Sequence, residues 1–277
     1  MRVGEPASTR PPTARLRRAA ATVALGGVLA ALGGCQIAVR RSAERAQDSL
    51  ESIAAEIGVA LLLGQDARAT DDPADAARAA TESLARAEPP GCAAGEAHGP
   101  RVTTSLERCL VPGFPAELSG DVVGLFVASP AGTVLDLGAD GLAYGQGEVS
   151  FETRVHVPPT GSTVPVLRVD GLATGVGPRR HAFRRSGGSR VVGGGERCAL
   201  TDGEWRVSTG DTTWTLGLDG VTSCRGACYD APAPATFDGP RGGVRLLFDG
   251  SRDVRFADVR TGAVEGSFAA TCPSLEE

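Results

Sequence analysis

Residues 204–216, EWRVSTGDTTWTL, carry the pattern that decides the fold. Gly210 and Asp211 form a two-residue turn of the kind that joins antiparallel strands. Counting outward from this turn pairs the large apolar residues across the hairpin: Val207 with Trp214, and Trp205 with Leu216. Because side chains alternate along a strand, all four lie on one face. The sequence therefore predicts an antiparallel hairpin with both tryptophans in one cross-strand cluster.

The same two-residue period continues on both sides of this hairpin. In residues 148–157, EVSFETRVHV, one face is apolar, with Val149, Phe151, Val155 and Val157, and the other is polar, with Glu152, Arg154 and His156. Further strands are expected at 122–129, 133–137, 164–169, 244–248, 254–259 and 264–270. Short strands without intervening helices are typical of sandwiches and barrels. We therefore expect a mainly β fold, with an antiparallel β-sandwich or barrel-like domain over residues 92–277.

The segment before this domain has a helical period. Its apolar residues recur at steps of three and four: Val39, Ala43, Ala46, Leu50, Ile53, Ile57 and Ala60. In the next segment, Asp72 is a candidate N-cap, Pro73 suits the first helical position, and Pro89 to Gly91 end the helix. Residues 35–91 are thus expected to hold helices at about 38–63 and 73–87. They form either a membrane-side spacer or partner-binding coiled coil, or a helical hairpin packed on itself or on the next domain.

The first 34 residues have the organisation of a signal peptide. Arginines at 2, 10, 15, 17 and 18 precede an uncharged run of 14 residues, Ala19 to Leu32. As a helix this run would span only about 21 Å, against the ~30 Å hydrocarbon core of a membrane. The run is therefore expected to direct export and not to anchor the chain.

The end of this run, Leu32-Gly33-Gly34-Cys35, resembles the lipobox of bacterial lipoproteins. The resemblance implies that residues 1–34 are removed and that Cys35 becomes a lipidated N-terminus. Two or three acyl chains, at ~0.8 kcal/mol per buried CH₂, hold a protein firmly at a membrane. In diderm hosts, Gln36 after the cysteine implies transfer to the outer membrane.

Six further cysteines remain: Cys92, Cys109, Cys198, Cys224, Cys228 and Cys272. An even number in an exported chain indicates up to three disulfides, for which fifteen connectivities exist. We select Cys92 with Cys109, Cys224 with Cys228, and Cys198 with Cys272. No pair has CxxC spacing and no two histidines are close in sequence, so we expect no metal site.

A cluster of arginines stands out in an otherwise acidic chain. The whole chain has a net charge of −5, and residues 1–34, with five arginines and one glutamate, contribute +4. Residues 35–277 therefore carry a net charge of −9, so nucleic-acid binding is not expected. Within GPRRHAFRRSGGSR the cluster comprises Arg179, Arg180, Arg184, Arg185 and Arg190. Guanidinium groups bind phosphate and carboxylate in a bidentate manner. The cluster is a candidate anion-binding loop for envelope glycolipid or acidic glycan, or else a solvated loop or hairpin.

Known catalytic motifs are missing from the sequence. All 28 basic residues are arginine, which excludes a phosphate-binding P-loop and a lysine Schiff base. There is no G-x-S-x-G, no H-E-x-x-H and no dinucleotide fingerprint. We expect no cofactor and no catalytic residues, and a non-enzymatic role in envelope binding or structure, with another envelope protein as a possible partner. The alternatives are a lipid carrier with an apolar cavity in the β domain, or an exported hydrolase.

Overall fold

The structure is a computed structural model that describes the backbone of residues 16–67, 70–159, 166–194, 197–240 and 242–272, and side chains from residue 37 on. The chain divides into two compact units, Met1–Ala38 and Val39–Glu277. The lipobox and the Cys35 side chain lie outside the part whose side chains are described. Within that part, no helix combines the length and apolar character needed to cross a membrane.

In the described residues, two α-helices precede fourteen strands. The helices are α1 (Leu16–Gly64) and α2 (Pro73–Ser83), and a 3-10 turn at Leu84–Arg86 follows α2. The first seven strands are β1 (Ala93–His98), β2 (Arg101–Leu110), β3 (Glu117–Ser129), β4 (Gly132–Tyr144), β5 (Gly147–Val157), β6 (Val166–Val176) and β7 (Ala182–Gly194). The others are β8 (Cys198–Thr209), β9 (Thr212–Cys224), β10 (Ala227–Asp230), β11 (Ala235–Gly239), β12 (Gly242–Leu247), β13 (Asp253–Asp258) and β14 (Val264–Ala269).

All fourteen strands belong to one antiparallel sheet. Strands β1 to β9 pair in sequence order, and β11 to β14 continue the series from β9. The short β10 pairs with β9 beyond the end of β11. Strands β1 and β14 each pair with a single neighbour, so the sheet is not closed. The predicted mainly β, antiparallel fold with a preceding helix is confirmed.

Helix α1 lies in the core of the sheet. Every residue from Ala46 to Gly64 is buried, whichever side of the helix it occupies. A Cβ at Gly58 would lie 2.7 Å from Val111 in the connection between β2 and β3, while one at Gly64 would lie 3.7 Å from Val157 on β5. The sheet and its connections therefore cover the helix on more than one side.

Helix and sheet belong to one compact unit, Val39–Glu277. The predicted helix at 38–63 is present within α1, and it packs on the strands, as the second of the two alternatives proposed. Its carboxylate-bearing side is buried as well: Asp48, Glu51 and Glu56 are each 0% exposed.

Helix α2 begins as its sequence predicts. Asp72 accepts hydrogen bonds from the backbone N–H groups of Ala74 and Asp75, at 2.9 and 3.0 Å, and Pro73 is the first helical residue. The buried side of α2 consists of small residues: Ala76, Ala77, Ala80 and Ser83. Through these α2 packs against β1, β2 and β3. The predicted helix at 73–87 is thus confirmed, with its last turn in 3-10 form.

The hairpin of residues 204–216 has the predicted register. Val207 lies opposite Trp214 and Trp205 opposite Leu216, and Gly210 in the turn has φ +60°. Trp205 is fully buried, and the ring of Trp214 stacks on Phe237 with centroids 4.8 Å apart. The tryptophan cluster is therefore part of the core.

All six cysteines form disulfides: Cys92 with Cys109, Cys198 with Cys224, and Cys228 with Cys272. The first predicted pairing is confirmed, and the other two are wrong. The reason lies in the β8–β9 ladder, in which a bulge between Thr201 and Gly203 shifts the register and places Cys198 opposite Cys224. Their Cα atoms are 4.0 Å apart, which leaves Cys228 on β10 to pair with Cys272 after β14. Disulfides of this kind are typical of proteins exported to an oxidising compartment.

Candidate functional site

The three histidines do not form a catalytic centre in the described part of the chain. His98 is 3.1 Å from Glu96 on exposed β1, and His181 is 3.5 Å from Glu44 on α1. His156 is 3.9 Å from Asp170 on the outer face of the sheet. The three therefore lie in separate places, and none hydrogen-bonds to a serine, threonine or cysteine among the described residues. No group of three or more potential metal ligands occurs in that part of the chain either.

The arginine cluster is split between the two faces of the sheet. Arg179 and Arg180 lie in the turn between β6 and β7, and the other three lie on β7. Because side chains alternate along a strand, Arg184 is exposed while Arg185 is only 1% exposed. The five arginines therefore do not form one anion-binding loop. Arg179 and Arg185 are already paired with carboxylates of α1, which the sequence spacing did not reveal.

Arg179 connects three parts of the fold. Its Nη1 donates to Asp48 Oδ1 at 3.0 Å, and its Nη2 donates to Glu51 Oε1 at 3.2 Å and to the Ala269 carbonyl at 2.6 Å. The hydroxyl of Thr271 donates to Glu51 Oε2 at 2.9 Å. Helix α1 is thus tied to the β6–β7 turn and to the end of β14. Burial raises the pKa of Asp48 to about 6, although the charge of Arg179 opposes that rise.

Arg185 forms a second buried connection to α1. Its guanidinium donates to the carboxylate of Glu56, and its Nε donates to the Ser52 hydroxyl at 2.9 Å. On its other side the guanidinium lies over the Trp205 ring, 4.7 Å from the centroid. Glu56 also accepts a hydrogen bond from Thr153 on β5. The pair thus connects α1 to β5 and β7, although Nη1 of Arg185 is buried without a hydrogen-bond partner among the described residues.

The described residues form a groove of about 1130 Å³ on the outer face of β3 to β7. Its sides carry Val123, Leu125 and Leu172, which are 37%, 43% and 48% exposed. Exposed aliphatic side chains gathered in a concavity are typical of interaction sites. This feature was not predicted from the sequence. A signal for it exists, because residues 122–127, VVGLFV, are apolar at both alternating sets of positions, and one set must face outward.

The register of five strands builds the groove. One row across the sheet consists of Val123, Gly138, Glu152 and Leu172, each paired with the next. Gly138 leaves a gap in this row, since a Cβ there would meet only the Phe151 carbonyl oxygen, at 3.8 Å. The aliphatic side chains on β3 and β6 form the two sides of this gap.

The floor of the groove is thin. Gly171 on β6 pairs directly with Gly187 on β7, so no side chains cover the backbone there. A Cβ at Gly171 would lie 2.9 Å from Glu56 Oε1 and 2.5 Å from the Thr153 hydroxyl. The groove is therefore separated from the buried Glu56–Arg185 pair by little more than glycine backbone.

The groove is strongly acidic. Its lining includes one arginine, Arg154, and five carboxylates: Asp121, Asp136, Asp140, Glu152 and Asp170. Arg154 binds Asp136 at 2.8 Å, and Arg168 from outside the groove binds Asp170 at 2.8 Å.

The other three carboxylates of the groove have no cationic partner among the described residues. Asp140 accepts a hydrogen bond from the Ser150 hydroxyl at 2.9 Å. Asp121 and Glu152 accept none from the described side chains. The groove thus combines apolar surface with uncompensated negative charge.

Comparison of the chain with protein-family models, with curated proteins and with solved structures finds no match.

Proposed function

We propose that this chain is an exported lipoprotein, held at a membrane through acyl groups on Cys35, with a non-enzymatic role in binding a partner. The groove on the outer face of β3 to β7 is the observation that carries the binding role. Its exposed aliphatic side chains lie outside the core, which is on the opposite face of the sheet with α1. In a host with two membranes, Gln36 supports a location at the outer membrane.

The anchoring part of the proposal is supported by the lipobox sequence and by the disulfides. The lipobox ends at Cys35, and the unit that contains the sheet begins at Val39. Only three residues, Gln36 to Ala38, separate the two in the sequence. Three disulfides support an exported location.

The other two functions considered have less support. A lipid carrier needs an open apolar interior, whereas α1 occupies the inner side of the sheet with buried side chains from Ala46 to Gly64. A hydrolase needs a nucleophile, a base and an acid at one place. Each of the three histidines lies near a carboxylate, but none hydrogen-bonds to a serine, threonine or cysteine among the described residues.

Variants of Cys35 test the anchor. Cys35→Ala removes the thiol that would carry the diacylglyceryl group, so we expect the protein to leave the membrane pellet and to lose incorporated radiolabelled palmitate. Cys92→Ala is the matched control, because its thiol belongs to a disulfide. It should keep both the label and the membrane fraction. Unchanged fractionation of Cys35→Ala together with an unlabelled wild-type protein would refute the anchor.

The binding role is tested separately from the anchor. We expect the protein to retain a partner from the host envelope after chemical crosslinking, and we expect Gly138→Leu, which fills the groove, to lose that crosslink. A crosslinking pattern that Gly138→Leu leaves intact would contradict binding at the groove.

A further inference from the structure

We infer that the groove of β3 to β7 binds an extended basic segment of a partner protein, one in which arginine or lysine alternates with aliphatic residues. This inference rests on the binding role proposed above and specifies its ligand. It follows from the charge, the dimensions and the openness of the groove.

Charge determines the sign of the ligand. Five carboxylates and one guanidinium line the groove, and Arg154 is occupied by Asp136. An anionic ligand would face Asp121, Asp140 and Glu152 without a free cation to bind. A cationic side chain at Glu152 would form a new ion pair beside the apolar surface of Leu172, its neighbour across the sheet. Complementary charge of this kind favours a basic partner and disfavours an acidic one.

The dimensions of the groove suit a short extended chain. The groove crosses five strands, and strands in a sheet lie about 4.8 Å apart, so its length is about 19 Å. An extended peptide advances about 3.3 Å per residue, and about six residues would fill that length. The side chains of such a peptide alternate between two directions. Alternate aliphatic residues would then contact Val123 and Leu172, while the residues between them reach the carboxylates.

The openness of the groove favours a polypeptide over a small molecule. Pockets for small ligands enclose most of the ligand surface. Here the walls are single side chains on a sheet face, and Val123, Leu125 and Leu172 remain 37–48% exposed. A polypeptide gains affinity from many such shallow contacts along its length.

Fluorescent octapeptides would test the inference on the protein purified from its host. We would use three peptides with alternating Arg-Leu, Gln-Leu and Glu-Leu sequences, and measure binding by fluorescence anisotropy. We expect the Arg-Leu peptide to bind most tightly, and its affinity to fall when salt rises from about 0.05 M to about 0.5 M, because salt screens exposed charges. An unrelated Arg-Ser octapeptide shows whether charge alone suffices, and we expect it to bind weakly.

Variants place the peptide in the groove. Gly138→Leu fills the gap in the groove and meets no backbone closer than 3.8 Å at its Cβ, so it should fold normally and weaken Arg-Leu binding at least tenfold. Glu152→Gln should weaken it up to about fivefold, the upper end for an exposed ion pair. Glu107→Gln is the control, since Glu107 is also exposed but lies on β2 outside the groove. Circular dichroism checks that each variant is folded.

The outcomes separate this inference from the proposed function. If the Gln-Leu or Glu-Leu peptide binds as tightly as Arg-Leu and Gly138→Leu abolishes that binding, the groove binds a partner but not through basic residues, and the inference fails while the binding role stands. If dodecylamine binds and is lost in Gly138→Leu while no peptide binds, the ligand is a small cationic amphiphile, and the inference also fails. If neither peptides nor amine respond to Gly138→Leu, both the inference and the binding role of the groove are refuted, and the Cys35 anchor is unaffected.

Discussion

The guanidinium of Arg179 and the carboxylate of Asp48 form a buried ion pair at 3.0 Å, although they are 131 residues apart in the chain. Arg179 lies in the turn between β6 and β7, and Asp48 lies on α1. With Glu56 and Arg185 they form two ionic connections between the helix and the sheet around it. The energetics of these connections can be measured directly.

Removal of one partner of the Glu56–Arg185 pair should be strongly destabilising. Both side chains are 0% exposed, so Glu56→Leu leaves an unpaired buried guanidinium and should lower the free energy of unfolding by about 3–5 kcal/mol. The double variant Glu56→Leu/Arg185→Leu removes both charges and should lose much less than the sum of the two single changes. Urea denaturation followed by tryptophan fluorescence measures all three variants.

An exposed pair provides the control for that experiment. Arg154 and Asp136 are also linked at 2.8 Å, but their side chains are 60% and 40% exposed. Arg154→Gln should therefore change the free energy of unfolding by no more than about 1 kcal/mol. If the double variant Glu56→Leu/Arg185→Leu lost as much free energy of unfolding as the two single variants together, the two residues would not be coupled.

Asp48 should make the protein less stable as the pH rises from about 4 to about 7. Its pKa is 3.8 in the absence of perturbation and about 6 in the folded protein, because burial disfavours the charged form. A group with a raised folded pKa contributes stability that is fully present below pH 3.8 and is lost as the pH passes 6. The two pKa values correspond to a loss of about 3 kcal/mol.

Comparison with Asp48→Asn isolates this contribution. The variant has no titrating group at this position, while Glu51 and Arg179 remain beside it. We expect the free energy of unfolding of the wild type to fall relative to that of the variant as the pH rises from 4 to 7. A shift in the opposite direction would mean that Arg179 outweighs burial and that the folded pKa of Asp48 lies below 3.8.

Tryptic mapping without reduction should identify the disulfides. Cleavage after arginine separates four of the cysteines into the peptides 198–206, 207–225, 226–241 and 261–277. The structure predicts that 198–206 is linked to 207–225, and 226–241 to 261–277. Mass spectrometry would show instead 207–225 linked to 226–241 if Cys224 paired with Cys228. The two linked peptide pairs that the structure predicts should both disappear after reduction.

The sequence predicts those elements whose alternating residues are apolar on one side. The β8–β9 hairpin and the two faces of β5 belong to this group. Strand β7 is different, because Arg185 and Ser189 occupy inward positions that an ordinary strand fills with apolar residues. Their partners are Glu56 on α1 and Trp205 on β8, and no local pattern reveals partners so distant in the chain.

The groove was beyond sequence reasoning for a similar reason. It depends on which residues of five strands lie side by side, and bulges at Ser119–Val122 and Ala139–Leu142 shift that register. The exposed apolar residues of β3 are visible in the sequence, but Glu152 and Leu172 become their neighbours only in the folded sheet. The disulfide of Cys198 was misassigned by the same kind of one-residue shift.

The central position of α1 has a mechanical consequence. A force applied to the N-terminal end of this helix acts along an element that the sheet encloses from Ala46 to Gly64. Withdrawal of the helix would require the Asp48–Arg179 and Glu56–Arg185 pairs to break within the core. Asp48 and Glu56 are about two turns apart on the helix. The strands would thus carry the load together with the helix, so that tension at the N-terminus would be resisted by the whole sheet unit.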